Sequence, residues 1–418
     1  MIAPLPDTTF HDVRHALLAR EELALLDVRE EATFARAHPL FAANMPLARI
    51  EWEVGWRLPR RDTRVVVYDD GEGLAEAAVQ RLQALGYSDV SRLAGGLQGW
   101  RDAGGELFQD VNVPSKAFGE LVEARRNTPS LSAQEVQALL RERADVVVLD
   151  ARPFTEYHTM SIPGAINVPG AELVLRAAAL APDARTRIVV NCAGRTRSLI
   201  GTQSLVNAGV PNPVCALRNG TIGWTLAGQR LDTGAQRRFA AVNAAQRTAA
   251  AQRARQVADR ANVARTSAAE LASFIAENGR TTYRFDVRTP EEYAKGHLPE
   301  FISAPGGQLV QETDVFAPVR GARLVLVDDD GARANMTASW LAQMGWDVHV
   351  LDGTPAGDWP VRGNALAEAM QSAPRGVRYR RPYEGTDNPQ EAMQAYLDWE
   401  FGLVEQLARD GTHGFVVL

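Results

Sequence analysis

The sequence predicts an α/β protein built from three tandem copies of one unit, each a mostly parallel sheet flanked by helices, with a helical C-terminal extension. Three observations carry this. An apolar strand ending in Asp-x-Arg occurs three times, as LALLDVRE, VVVLDARP and YRFDVRTP, with its aspartates at Asp27, Asp150 and Asp286. A second strand follows each, as RVVVYDDG, RIVVNCAG and RLVLVDDD, and 42 positions beyond the three aspartates stand Asp69, Cys192 and Asp328. Strands alternating with helical patterns in units of about 110 residues imply parallel pairing with helices on both faces, and units so short exclude an eight-stranded barrel.

Each unit opens on a capping-box pattern, Thr9 to Asp12, Ser132 to Glu135 and Ser267 to Glu270, which predicts a short amphipathic helix before the first strand. Downstream a helix ends near Gly86, Gly209 or Gly345, a further strand follows, and then come GGLQGW, NGTIGW and the looser DGTPAGDW. These signals place the domains at 1–112, 128–232 and 264–361, with the extension at 362–418. VNVPSKAFGELVEARRNTPS, between the first two, reads as a mixed linker. The stretch from Ala235 to Arg265 has no Gly or Pro and is rich in Ala, Arg and Gln, so a long helix is expected there, as a spacer or an interface. In the extension, Met393, Tyr396, Leu397, Phe401, Val404 and Leu407 recur at helical spacing and predict a helix docked on the body or on another subunit. No chemistry is assigned to it, and RYRRPYEG before it reads as a packed or solvated connector. A homo-oligomer would form through the 235–263 helix or this tail.

With 45 basic and 51 acidic residues, the formal charge of −6 gives no support to nucleic-acid binding. The start, MIAPLPDTTFHDVRH, has no basic segment leading into a long apolar one, and no later run approaches a membrane span, so the reading is cytoplasmic. Cys192 and Cys215 are too few for a disulfide framework or a cysteine-only zinc site, and no cofactor or metal is called for. Cys215, inside PVCAL, reads as a buried core thiol. Asp69 with Asp70, or Asp328 to Asp330, read as loop-capping acids in preference to cation ligands.

Cys192 is different. The run VVNCAGRTRSLIG reads as strand, tight loop and helix N-terminus, which puts the thiol at the carboxyl edge of a parallel sheet, where ligands of such folds bind. Amides of Ala193, Gly194, Arg195, Thr196 and Arg197 can curl into an anion-binding nest, and with the helix dipole, Arg195 and Arg197 they are expected to lower the thiol pKa. Thr196 and Ser198 can donate from their hydroxyls or cap the helix.

Residues 192–197, CAGRTR, resemble the six-residue loop of the rhodanese-like sulfurtransferases, which begins with the catalytic cysteine and follows an Asp-x-Arg strand end. EYHTMSIPGAINVP is similar to a further motif of that family, with Met160 and Ser161 where Gly-His is usual and where the third unit keeps Gly296 and His297. The resemblance covers roughly 310 residues in three copies, and the arrangement looks like the tandem-domain thiosulfate sulfurtransferases of bacteria. It implies that the Cys192 thiolate takes sulfane sulfur from thiosulfate, releases sulfite, and passes the sulfur to cyanide or a thiol. In that scheme Arg152 helps bind the dianion and Asp150 orders the strand end. The flanking copies carry Asp69 and Asp328 in the cysteine position and are expected to transfer no sulfur, although Arg333 aligns with Arg197. Related phosphatases have a Cys-x5-Arg loop, one residue longer than Cys192 to Arg197. The non-enzymatic alternative is a scaffold or a sulfur-carrier-binding protein.

Overall fold

The computed structural model describes residues 6–353, 359–381 and 383–418. The first five residues of the N-terminal reading, residues 354–358 of DGTPAGDW and Pro382 of RYRRPYEG lie outside them.

Three sheets form, one per repeat. The middle one is wholly parallel, in the order Ser130–Leu131, Val214–Leu217, Arg187–Asn191, Val146–Asp150, Ile166–Asn167. The third repeats that order with Ala264–Thr266, Asp347–Leu351, Arg323–Val327, Thr282–Asp286 and Ile302–Ser303. The first does so as well and adds an antiparallel edge strand, Val319–Arg320, lent by the third repeat. Register explains the repeated 42-residue spacing. Asp27 lies opposite Tyr68, Asp150 opposite Asn191 and Asp286 opposite Val327, so Asp69, Cys192 and Asp328 each emerge just past the carboxyl edge of a central strand.

The three capping boxes are formed as expected, with Thr9, Ser132 and Ser267 accepting from the amides of Asp12, Glu135 and Glu270. Gly86, Gly209 and Gly345 follow their helices with positive φ.

Two expectations are corrected. The supposed linker is a helix, Val113–Arg126, whose Val113, Ala117, Phe118 and Val122 are fully buried in the core shared by the first and third repeats. Its residues are covered on nearly every side, so no polar stripe marked it as a helix, while Pro114 in its first turn is compatible with one. The long helix is shorter than expected, Ala244–Arg260, because an Asn243–Gln246 capping box starts it. Ala250, Ala254 and Val257 pack between the second and third repeats with Ala332 and Met336. The tail contributes helices Pro389–Phe401 and Leu403–Asp410, with Leu397, Leu403 and Leu407 buried. Of the residues expected to dock this tail, Leu397 and Leu407 are covered within the chain, while Phe401 is 49% exposed. Among the described residues no helix is long and apolar enough to cross a membrane.

Candidate active site

The middle loop is best understood against its two relatives. In the first repeat the Asp69 carboxylate accepts from the amides of Gly71 (3.1 Å), Leu74 (2.5 Å) and Ala75 (3.0 Å). In the third, Asp328 accepts from Gly331 (3.0 Å) and Ala334 (2.8 Å). Each flanking loop therefore carries its own acceptor for these amides, a covalently attached carboxyl group. In the middle repeat the same position holds Cys192, and the amides of Ala193 to Arg197 have no protein acceptor among the described residues. Residues 193–197 line the cavity in front of Cys192.

Cys192 is 2% exposed, and its Sγ lies 3.4 Å from Ser198 Oγ, which itself donates to Arg195 O (2.8 Å). Burial pushes the thiol pKa up, while Arg197 and the hydroxyl and amide of Ser198 pull it down and Glu400 adds to the rise. The net direction is upward, which corrects the expectation of a lowered thiol. The loop and its dipole were visible in the sequence; the closing of the site over the sulfur was not.

The loop is held from behind by the next helix. Thr221 N donates to Cys192 O (2.9 Å) and Ile222 N to Ala193 O (3.0 Å). Gly220, at φ 55°, permits this approach, since a Cβ there would overlap Cys192 O and meet Gly194 O at 2.7 Å. That is the physical content of NGTIGW, and the first repeat does the same through Gly96 and the Leu97 N to Asp69 O bond of 2.9 Å.

The arginines divide into different roles. Arg152 is buried and binds Asp150 through Nε (2.9 Å) and Nη2 (2.7 Å), with Nη2 also reaching Met160 O (2.6 Å). Arg29 and Arg288 repeat these bonds to Asp27 and Ala37 O, and to Asp286 and Gly296 O, so this much is scaffolding. In the flanking copies the remaining Nη1 faces the loop, 4.0 Å from Asp70 and 3.9 Å from Asp329. The matching residue in the middle copy is Ala193, so Arg152 has no second carboxylate there and lines the cavity. Met160 in place of the usual Gly costs nothing here, because only its carbonyl is used.

Arg197 forms a two-pronged pair with Glu156, at 2.6 and 2.9 Å. Burial opposes ionisation of Glu156, but Arg197, with Arg381 and Arg152, outweighs it and holds the carboxyl down at about 2. Arg195 turns away from the sulfur. Its guanidinium binds Glu120 (2.7 and 2.8 Å), Glu123 and Asn219 (3.1 Å) and stacks on Phe401 at 4.1 Å. The binding role expected of it therefore falls to its backbone alone. Thr196 packs against the 113–126 helix, where Gly119 leaves just enough room: a Cβ there would sit 3.0 Å from Thr196 Cγ2. Cys215, 3% exposed with Sγ 3.8 Å from Ile188 O, is the core thiol expected.

A cavity of about 690 Å³ opens in front of Cys192, and sequence reasoning missed much of its wall. The tail supplies Tyr379, Arg381, Tyr383, Tyr396 and Glu400, and the 113–126 helix supplies Lys116. Lys116 Nζ bonds Asp110 (2.7 Å), Tyr379 donates to the same aspartate (2.9 Å), and the ammonium lies over the Tyr396 and Trp399 rings at 5.3 and 5.4 Å. Arg378, Tyr379, Arg381, Tyr383 and Glu384 of RYRRPYEG therefore form a wall of the site. The one signal available was its mix of arginine and tyrosine, which a packed connector does not require.

The Rhodanese-like domain family matches residues 11–103, 132–227 and 267–354, and the chain belongs to that family. A crystal structure of thiosulfate sulfurtransferase from Pseudomonas aeruginosa is 57% identical, with a TM-score of 0.95, and the match covers 99% of this chain and 100% of that one. An HTH-type transcriptional regulator of Mycobacterium tuberculosis is 38% identical over 95 residues, 23% of this chain and 41% of the relative. The SseB protein of the same organism is 34% identical over 130 residues, 28% of this chain and 43% of its own length. The chain thus spans about half or less of the length of these curated relatives.

Proposed function

We propose that this chain is a thiosulfate sulfurtransferase in which Cys192 carries the sulfur as a persulfide. The observation that carries the reading is the substitution of a thiol for the loop carboxylate: where the flanking copies fill the amide nest with Asp69 or Asp328, the middle copy leaves the nest open beside a nucleophile. The match to the Pseudomonas aeruginosa enzyme over the full length of both chains supports the choice of donor.

The Cys192 thiolate attacks the outer sulfur of thiosulfate, a new S–S bond forms, and the old S–S bond breaks with its electron pair leaving on sulfite. Amides of residues 193–197 and the charges of Arg152 and Arg197 offset the repulsion between thiolate and dianion. Cyanide or a thiol then attacks the outer sulfur and Cys192 leaves, giving two-step covalent kinetics. Thiosulfate treatment is expected to add one sulfur atom per chain, on Cys192, by intact-protein mass spectrometry. Cys192→Ser abolishes both that adduct and thiocyanate formation, whereas Cys215→Ser keeps most of each. Equal activity in the two variants refutes the assignment.

A further inference from the structure

The tail helix Pro389–Phe401 brings one group to the sulfur that the repeated fold does not contain. Glu400 is 1% exposed, its Oε1 accepts from Tyr396 OH at 3.2 Å, and its Oε2 has no partner. That bare oxygen points at the loop: it lies 3.2 Å from where a side chain on Gly194, two residues past Cys192, would begin. An unpaired carboxylate oxygen in a closed site is costly to keep, and three rhodanese folds could pack around this tail with an apolar residue there. The cavity it faces, about 690 Å³, is several times larger than thiosulfate needs and is walled by Tyr379, Tyr383 and Tyr396, so it has room for an organic acceptor.

We propose that Glu400 is the general base of the acceptor step, taking the proton of a neutral organic thiol as that thiol attacks the outer sulfur of the Cys192 persulfide. The acceptor sulfur forms a bond to the outer sulfur while the bond from that sulfur to Cys192 Sγ breaks. Its electron pair stays on Cys192 as thiolate, the acceptor leaves as a persulfide, and its proton rests on Glu400. The assignment builds on the persulfide reading and adds the class of acceptor: a thiol that arrives protonated, as distinct from an anion such as cyanide.

The surroundings suit the task. Burial and, less strongly, Glu120 lift the Glu400 carboxyl, Lys116, Arg195 and the Tyr396 hydroxyl restrain it, and the balance lies at about 7. Lys116 and Glu120 face it from the 113–126 helix, Arg195 and Cys192 from the loop, and Tyr396 from its own helix. A base that titrates near the working pH is both available and strong enough to act. Glu312, which also lines the cavity and is lifted to about 7 chiefly by burial, accepts from Gln308 Nε2 at 2.9 Å and is the competing candidate.

The test separates the two half-reactions. Full-length protein is first loaded with thiosulfate and the added sulfur measured; a parent that takes up no sulfur refutes the persulfide reading before any acceptor is added. The loaded protein is then mixed with a neutral cysteine-containing tripeptide, whose thiol ionises at about pH 8.5, and discharge is followed against pH. In the parent the rate rises through an acid limb near pH 7 and then levels. In Glu400→Gln the level region is lost, the rate climbs about tenfold per pH unit up to the thiol pKa, and at pH 7.5 it is at least about tenfold below the parent. Discharge by ionised cyanide, which has no proton to lose, falls far less. Tyr396→Phe keeps the carboxylate but removes its hydrogen bond, so the acid limb moves to higher pH. A limb that stays in place in both variants, or one abolished only by Glu312→Gln, overturns the proposal.

Discussion

Arg152 and Asp69 show how one loop position decides between structure and chemistry. Arg152→Ala removes a positive charge beside the loop as well as a strand-end bond, and thiosulfate turnover is expected to fall by about 10²-fold, as for loss of one preorganised donor. Alkylation of Cys192 by iodoacetamide, followed against pH, should show the thiol titrating higher. Asp69→Ala instead leaves three amides without their acceptor, that of Ala75 buried, which costs about 1–3 kcal/mol in denaturant unfolding while turnover at Cys192 stays within a few-fold. A large activity loss in folded Asp69→Ala would show that the first repeat is coupled to the second. At this scale the sequence was informative where chemistry is local. The Asp-x-Arg pairs, the loop and Cys215 could be read because their partners lie within a few residues or on the next strand. Arg195 could not, since Glu120 and Glu123, which hold its guanidinium, sit more than seventy positions away.

Among the elements, the helix Gly220–Leu226 illustrates why a short Gly-rich motif recurs at the end of each sheet. Its first amides fasten the backbone of the reactive loop from below, and the left-handed Gly220 lets the two chains meet. Gly220→Ala is expected to add about 1–2 kcal/mol of backbone strain from positive φ alone, plus the overlap with Cys192 O. Sulfur uptake by Cys192 should drop more than thermal stability does, because the displaced atoms are those of the loop. Uptake by mass spectrometry and a melting curve on the same sample check this; unchanged uptake would mean the loop holds its shape unaided. The 113–126 helix shows the opposite relation of sequence to structure. Periodicity reveals a helix with one wet face, whereas a helix wrapped by two repeats, a loop and a tail leaves no such trace.

Across the whole molecule, the reactive repeat is held by segments far from it in sequence. Glu156 pairs with Arg197 of the loop and lies 3.7 Å from Arg381 of the tail, so one carboxylate joins nucleophile loop and roof. Its folded pKa, about 2, is below its ordinary value of 4.5, so the stabilisation it gives is complete above pH 4.5 and is lost as pH falls towards 2. Melting temperatures of parent and Glu156→Gln should therefore differ most near neutral pH, with the gap narrowing below pH 4.5 and closing only as pH falls to about 2; a constant gap across that range would contradict the pairing. The three-repeat plan was legible because it is written three times in the chain, each copy checking the others. The roof occurs once, and its contacts with residues 30–31, 110–120 and 192–197 come from folding the chain back on itself, which no local pattern encodes.

Cys215 lies opposite Val189, three residues before Cys192 along a strand that advances about 3.3 Å per residue. The two sulfur-bearing backbones are therefore about 10 Å apart along the sheet, beyond the span of a disulfide. The chain has no resolving thiol: an oxidised or sulfur-loaded Cys192 cannot be reset from within. Its redox state is consequently a record of what has entered the cavity, erased only by an outside nucleophile, and hydrogen peroxide in the absence of thiols should drive it past sulfenic acid to irreversible oxidation.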